Sequence, residues 1–82
     1  MYSIFLSNLA EKQLKKLPKG IQVRIVSALK RCRIRPYAFV KKIVSSRYFR
    51  LRAGKYRIIL DIQKDVLMVF VVEVGHRKDV YK

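Results

Sequence analysis

The sequence predicts an α+β fold: an N-terminal strand, a helical hairpin, then a three-stranded antiparallel meander, joined in one curved sheet with the helices packed on one face. Three observations lead there. Apolar residues recur at helical spacing in the first part of the chain, through Leu6, Leu9, Ala10, Leu14 and Leu17 and again through Ile21, Ile25, Val26, Ala28, Leu29 and Cys32. Further on the period changes to two, most clearly where Tyr56, Ile58, Leu60 and Ile62 alternate with Arg57, Ile59 and Asp61. The length of 82 residues, 51% of them apolar, suits one thin core, so residues 1–82 are read as a single domain.

Each element has its own signal. Tyr2 to Leu6 is aromatic and aliphatic and reads as a short strand. Asn8 with Glu11 three residues on, or Ser7 one step earlier, is the candidate N-cap of a helix whose apolar face is Leu6, Leu9, Ala10, Leu14 and Leu17. Pro18, Lys19 and Gly20 punctuate the chain, and the second amphipathic pattern ends before Pro36, which disfavours helical geometry at Arg35. Between Arg33 and Arg47 the periodicity is weak, and Tyr37, Phe39, Val40, Ile43 and Val44 mark a loop tethered to the core. Strands follow at Arg47 to Ala53, Lys55 to Gln63 and Val66 to Val74, with turns at Gly54 and at Lys64–Asp65. The last strand is apolar on both faces, as an interior strand covered on each side would be. Gly75 ends it and releases a polar tail, His76 to Lys82.

Charge narrows the function. Twenty Lys and Arg against five acids give a net charge of +15. The acids are Glu11, Asp61, Asp65, Glu73 and Asp79, so Lys12 to Leu60 holds none while carrying 16 of the 20 basic residues. That half repels itself, and a polyanion or a strongly acidic protein relieves the strain by direct pairing and counterion release. A basic surface that serves solubility alone is the plainer alternative.

Several chemistries are excluded. The longest apolar run, Val66 to Val72, is far short of the ~20 residues of a spanning helix, and Met1 to Leu6 has no basic leader, so neither membrane segment nor signal peptide is expected. One cysteine, Cys32, and one histidine, His76, make neither a disulfide nor a zinc site, and a reducing, cytoplasmic setting fits. Cys32 lies on the apolar side of the second helix and reads as a small buried hydrophobe. Gly20, Gly54 and Gly75 are too dispersed for a phosphate-binding loop, and no paired carboxylates stand in the basic half, so no cofactor and no metal are expected.

Two constellations remain. Arg50, Arg52, Lys55 and Arg57 crowd one hairpin. With Ala53 and Gly54 as the loop, Arg52 faces Lys55 and Arg50 faces Arg57; a three-residue loop with Gly54 as the bulge shifts those pairs by one. Like charges directly opposite destabilise a sheet, so folding alone would not select them. Guanidinium forks that grip a phosphate oxygen in bidentate fashion would, although charged edge strands also deter aggregation. The second constellation is the tail, where His76, Arg77, Lys78 and Tyr81 follow the end of the last strand. Tyr81 either stacks on a base or moves a proton, or it anchors the C-terminus; His76 is a general-base candidate or a surface hydrogen-bonding group. Lys41, Lys42 and Arg47 extend the basic surface.

The run Tyr48-Phe49-Arg50-Leu51-Arg52-Ala53-Gly54-Lys55-Tyr56-Arg57-Ile58 resembles the hairpin signature of the RelE/ParE toxin superfamily. Val72-Glu73-Val74-Gly75-His76-Arg77-Lys78-Asp79-Val80-Tyr81 resembles its C-terminal signature, and Leu14-Lys15-Lys16-Leu17-Pro18 its helix end. The resemblance spans nearly the whole chain. It implies the toxin of a toxin–antitoxin module, a metal-independent endoribonuclease that enters the ribosomal A site, contacts 16S ribosomal RNA and cuts the mRNA codon there. It implies Arg57 and Arg77 as phosphate-stabilising arginines, Arg50 and Arg52 as strand residues that hold and activate RNA, and Tyr81 as the residue that stacks on or orients the substrate. Lys41, Lys42, Arg47, Lys55, His76 and Lys78 would bind RNA or ribosome, and an acidic RelB-like antitoxin would be the protein partner. Relatives often carry lysines where this chain has Tyr48 and Arg50, and a guanidinium is never a conventional base, so proton removal stays unassigned. Only seven residues follow Gly75, leaving no room for the C-terminal helix of some relatives. A ParE-like inhibitor of DNA gyrase and a non-catalytic nucleic-acid-binding module are the competing readings.

Overall fold

The computed structural model describes residues 1–76. Strand β1 (Ser3–Leu6) passes into helix α1 (Asn8–Lys15) through Ser7, which settles the choice of N-cap. Its Oγ accepts from the Ala10 N–H at 3.0 Å and donates to the Val72 carbonyl at 2.8 Å, so one side chain closes the helix end and ties it to the sheet. Helix α2 (Lys19–Cys32) starts behind Pro18 with no side-chain cap. Gln22 Nε2 donates to the Leu17 carbonyl at 2.8 Å, satisfying backbone at the turn between the helices. Ala10 of α1 and Ile25, Ala28, Leu29 and Cys32 of α2 form the buried stripe.

The segment expected to be a tethered loop has structure of its own. Pro36, with its φ already helical, starts a single turn α3 (Pro36–Phe39), and the chain then extends as β2 (Val40–Lys42). Three residues are too few to show alternation in a sequence, and pairing with the next strand supplies the order. Strands β3 (Phe49–Ala53), β4 (Tyr56–Gln63) and β5 (Met68–His76) complete the sheet, with a 3-10 turn at Lys64–Val66. The strand order is β1-β5-β4-β3-β2. The meander therefore runs from β2 to β5, all antiparallel, and β1 closes the other edge parallel to β5.

β3 begins at Phe49 and β4 at Tyr56 rather than at Arg47 and Lys55, and both ends of the last strand move. Val66 belongs to the 3-10 turn, and Leu67, at φ 53° in the left-handed region, reverses the chain before Met68. Gly75 does not end β5, because pairing of Arg57 with Gly75 and of Tyr56 with His76 carries the ladder through it.

The core lies between the helices and one face of the sheet. Leu51, Ile58, Leu60, Val69, Val71 and Val74 are buried there against Ile25, Leu29 and Cys32. Each fully buried aliphatic side chain contributes about 1.5–3 kcal/mol of transfer free energy. Val71 and Val74 both point inward because β5 carries a bulge: the register steps from Ile59 opposite Glu73 to Leu60 opposite Val71, leaving Val72 over. The Ser7 hydroxyl takes the Val72 carbonyl, and Gln13 Oε1 accepts from the Val74 N–H at 2.7 Å. Beyond β5 the expectation of cover on both faces fails. Met68, Phe70 and Val72 are only half-buried, and a stacked contact of Phe70 with Phe5, ring centroids 5.7 Å apart, shields that side.

Candidate nucleic-acid interface

Helices on one face leave the other face to the side chains the pleat sends outward. On β3, Leu51 points into the core, so Arg50 and Arg52 point away. On β4, Ile58, Leu60 and Ile62 point inward, and Arg57, Ile59 and Asp61 point away. The turn between the strands consists of Gly54 and Lys55, since Ala53 pairs with Tyr56. Gly54 has φ +61°, the value a tight hairpin needs at its first loop position and one that a side chain disfavours.

This register replaces the one expected from an Ala53–Gly54 loop. Arg52 stands opposite Arg57, and Arg50 stands opposite Ile59, with Lys41 of β2 opposite Arg50 on its other side. Two rows cross the open face. One reads Gly75, Arg57, Arg52; the other reads Glu73, Ile59, Arg50, Lys41. Directly opposed side chains have Cβ atoms about 4.5–5.5 Å apart, so both Arg52–Arg57 and Lys41–Arg50 bring cation against cation. Gly75, opposite Arg57, contributes no side chain to this row. Lys41, Arg50 and Arg52 together with Phe39 line a cleft of about 300 Å³. Lys41 and Arg52 are exposed, whereas Arg50 and Arg57 are half-buried, their stems held by the sheet. A phosphate over these rows meets planar donor forks from several strands at once.

The remaining residues singled out from sequence are dispersed. Lys55 sits exposed at the hairpin tip. Lys42 turns to the other side, its ammonium 4.9 Å from the centroid of the Phe49 ring and donating to the Ser46 carbonyl. Arg47 pairs with Asp61 at 3.0 Å, and Asp61 also accepts from Gln63 Nε2 at 3.3 Å, away from the hairpin tip. His76 alternates to the face opposite Arg57, its ring edge-on to Tyr56 with centroids 5.5 Å apart. Arg77, Lys78 and Tyr81 lie outside the described residues.

Cys32 is fully buried, and burial raises its thiol pKa above the ordinary value, opposed in part by Arg31, so it stays protonated in the core. Among the described residues no cluster of three or more His, Cys, Asp or Glu could hold a metal ion, and no helix is long and apolar enough to cross a membrane. Sequence reading missed Phe39, whose ring is 45% exposed beside the cationic cleft. No periodicity in the sequence marks it, because Phe39 ends the single turn α3 and reaches the cleft through the step from that turn into β2.

A small sheet with two helices on one face and an arginine-rich hairpin on the other defines a class, the toxins of the RelE/ParE superfamily. A family model described as "ParE toxin of type II toxin-antitoxin system, parDE" matches residues 4–81, and the chain belongs to this family. Solved structures agree in fold. The RelBE2 toxin–antitoxin complex from Mycobacterium tuberculosis contains a chain 26% identical, with a TM-score of 0.82, matched over 93% of this chain and 98% of that one. A RelB–RelE antitoxin–toxin complex from Methanococcus jannaschii gives 28% identity and a TM-score of 0.75, over 94% of each chain. The archaeal RelE–RelB complex from Pyrococcus horikoshii OT3, at 21% identity and a TM-score of 0.81 over 95% of this chain and 97% of that one, shares the fold. No match is found among curated proteins. The chain is thus a toxin of a type II toxin–antitoxin module with a RelE-like fold.

Proposed function

We propose that this toxin is a metal-independent, ribosome-dependent endoribonuclease that cuts mRNA in the ribosomal A site and so stops translation in the cytoplasm. The observation that carries the reading is the cross-strand placement of basic residues opposite one another, Arg52 opposite Arg57 and Lys41 opposite Arg50, on the open sheet face. Such pairs weaken the free protein and become favourable when a phosphate lies across them. In the reaction the ribose 2′-oxygen attacks the adjacent phosphorus, the 5′-oxygen departs, and a 2′,3′-cyclic phosphate and a 5′-hydroxyl result. Arg50, Arg52, Arg57 and Arg77 hold the phosphate in line and neutralise the charge that builds on its oxygens. None of them removes the 2′-OH proton, because a guanidinium keeps its own. Tyr81 orients the substrate base, and Lys55 and Lys78 add to the ribosome-facing charge.

The partner is an acidic RelB-like antitoxin. Ile4, Leu6, Leu14 and Val26 line a groove of about 380 Å³ edged by Lys30 and Arg33, which suits an amphipathic acidic segment.

The decisive assay places purified protein on ribosomes stalled over a defined mRNA with an empty A site and maps breaks by primer extension. A cut in the A-site codon by wild type, lost in an Arg52→Ala, Arg57→Ala double variant, is the expected result. Intact mRNA would overturn the reading. The ParE description of the matching family supports a second reading, inhibition of DNA gyrase by binding, and a supercoiling assay on the same preparations separates the two.

A further inference from the structure

We infer that Phe39 is an aromatic platform on which one base of single-stranded RNA stacks while the adjacent phosphate enters the cationic cleft beside it. The inference rests on the reading that the open sheet face receives RNA. Phe39 ends the turn α3 immediately before β2 and shares a cleft with Arg52, whose row holds Arg57. Two positions along, Lys41 continues the second row beside Arg50. Phe39 is 45% exposed and stands outside the buried core. It forms a wall shared by two depressions. On one side Lys41, Arg50 and Arg52 line the cationic cleft of about 300 Å³; on the other, Ile34 and the apolar stems of Arg31 and Arg35 line an almost wholly apolar recess of about 200 Å³ that suits the edge of a base.

An exposed aromatic ring beside a group of cations is the arrangement single-stranded nucleic acid selects, since every base has a face to stack and every nucleotide a charge to neutralise. A double-stranded ligand would offer phosphates but no free base. Phe39 would also favour RNA with unpaired bases over other polyanions, which a purely cationic face cannot do. It positions the base next to the phosphate that Arg52 and Arg57 hold, without touching the reacting atoms.

The test uses the whole protein and two uncleavable 2′-O-methyl hexamers, one with adenine bases and one abasic, which carry the same phosphates. Wild type is expected to bind the adenine hexamer at least about fivefold more tightly, a preference that Phe39→Leu removes without changing affinity for the abasic one. Phe39→Trp should restore the preference, and its emission, from the single Trp in a chain that has none, should be quenched by the adenine hexamer alone. If Phe39→Leu keeps the preference, or wild type binds both hexamers equally, the platform is refuted while the phosphate-binding face stands. If neither hexamer binds at low salt, the RNA reading of the face falls and the platform with it.

Discussion

Removing one charge from the open face should stabilise the free toxin and weaken its grip on RNA. Arg52→Gln keeps most of the side-chain stem and removes the cation that stands opposite Arg57. A directly opposed like-charge pair costs roughly 0.2–1 kcal/mol in a sheet, and because Arg52 is exposed, about 0.5 kcal/mol is a reasonable share. For a domain of this size 1 kcal/mol moves Tm by about 4–8 °C, so the variant should melt roughly 2–4 °C above wild type at low ionic strength. The gain should nearly vanish in 1 M salt, where the screening length falls from about 10 Å to about 3 Å. In parallel, binding to single-stranded RNA should weaken and its logarithmic salt slope should drop by about one contact. Thermal melts at two ionic strengths and a salt titration of affinity read both halves. An Arg52→Gln variant that melts at or below wild type in low salt would refute the reasoning, because the arginine would then be a structural partner rather than a poised ligand group.

Other consequences concern the scaffold that presents this face. Ser7→Ala removes the α1 cap and strands the Val72 carbonyl, so it should cost about 1–2 kcal/mol and lower Tm by roughly 5–15 °C, whereas Ser7→Thr should keep most of the stability. Gly54→Ala forces a side chain into φ +61°, and since the new Cβ would only meet the flexible end of Arg24 at 3.4 Å, the cost of about 1 kcal/mol comes from the backbone; Gly54→Asn should lose less in a denaturant titration. Cys32 keeps its proton in the folded state above its ordinary pKa of 9.0, while the unfolded chain gives it up. Fewer protons on the unfolded state mean that stability falls as pH rises past 9.0, so wild type should lose stability there relative to Cys32→Val, with no difference at pH 7.

The sequence made the helical stripe and β4 plain because both repeat one period over several turns or pairs. It hid β2, where three residues cannot display alternation and the order comes from pairing with β3. The consequence reached the site. A loop over 33–47 shows Lys41 only as charge and Phe39 only as a tether, and the step from α3 into β2 is what brings the two into one cleft with the arginines. The hairpin register was ambiguous for a related reason: turn rules allow more than one loop through Gly54, and the packing of Leu51 and Ile58 into the core selects among them. The bulge at Val72 was invisible because the partners that satisfy it, Ser7 and Gln13, come from sequence-distant α1 and its cap. Arg47 and His76 read as members of the basic surface by composition, yet Asp61 and Tyr56 hold them elsewhere.

The central claim is that RNA lies on the helix-free face of the sheet. Amide spectra of the labelled toxin, titrated with an uncleavable single-stranded RNA, test it most directly. Shifts concentrated at residues 39–41, 50–52 and 57 are the expected result, with α1 and the buried face of α2 unmoved. Shifts concentrated on the helices, with the arginine rows silent, would contradict it.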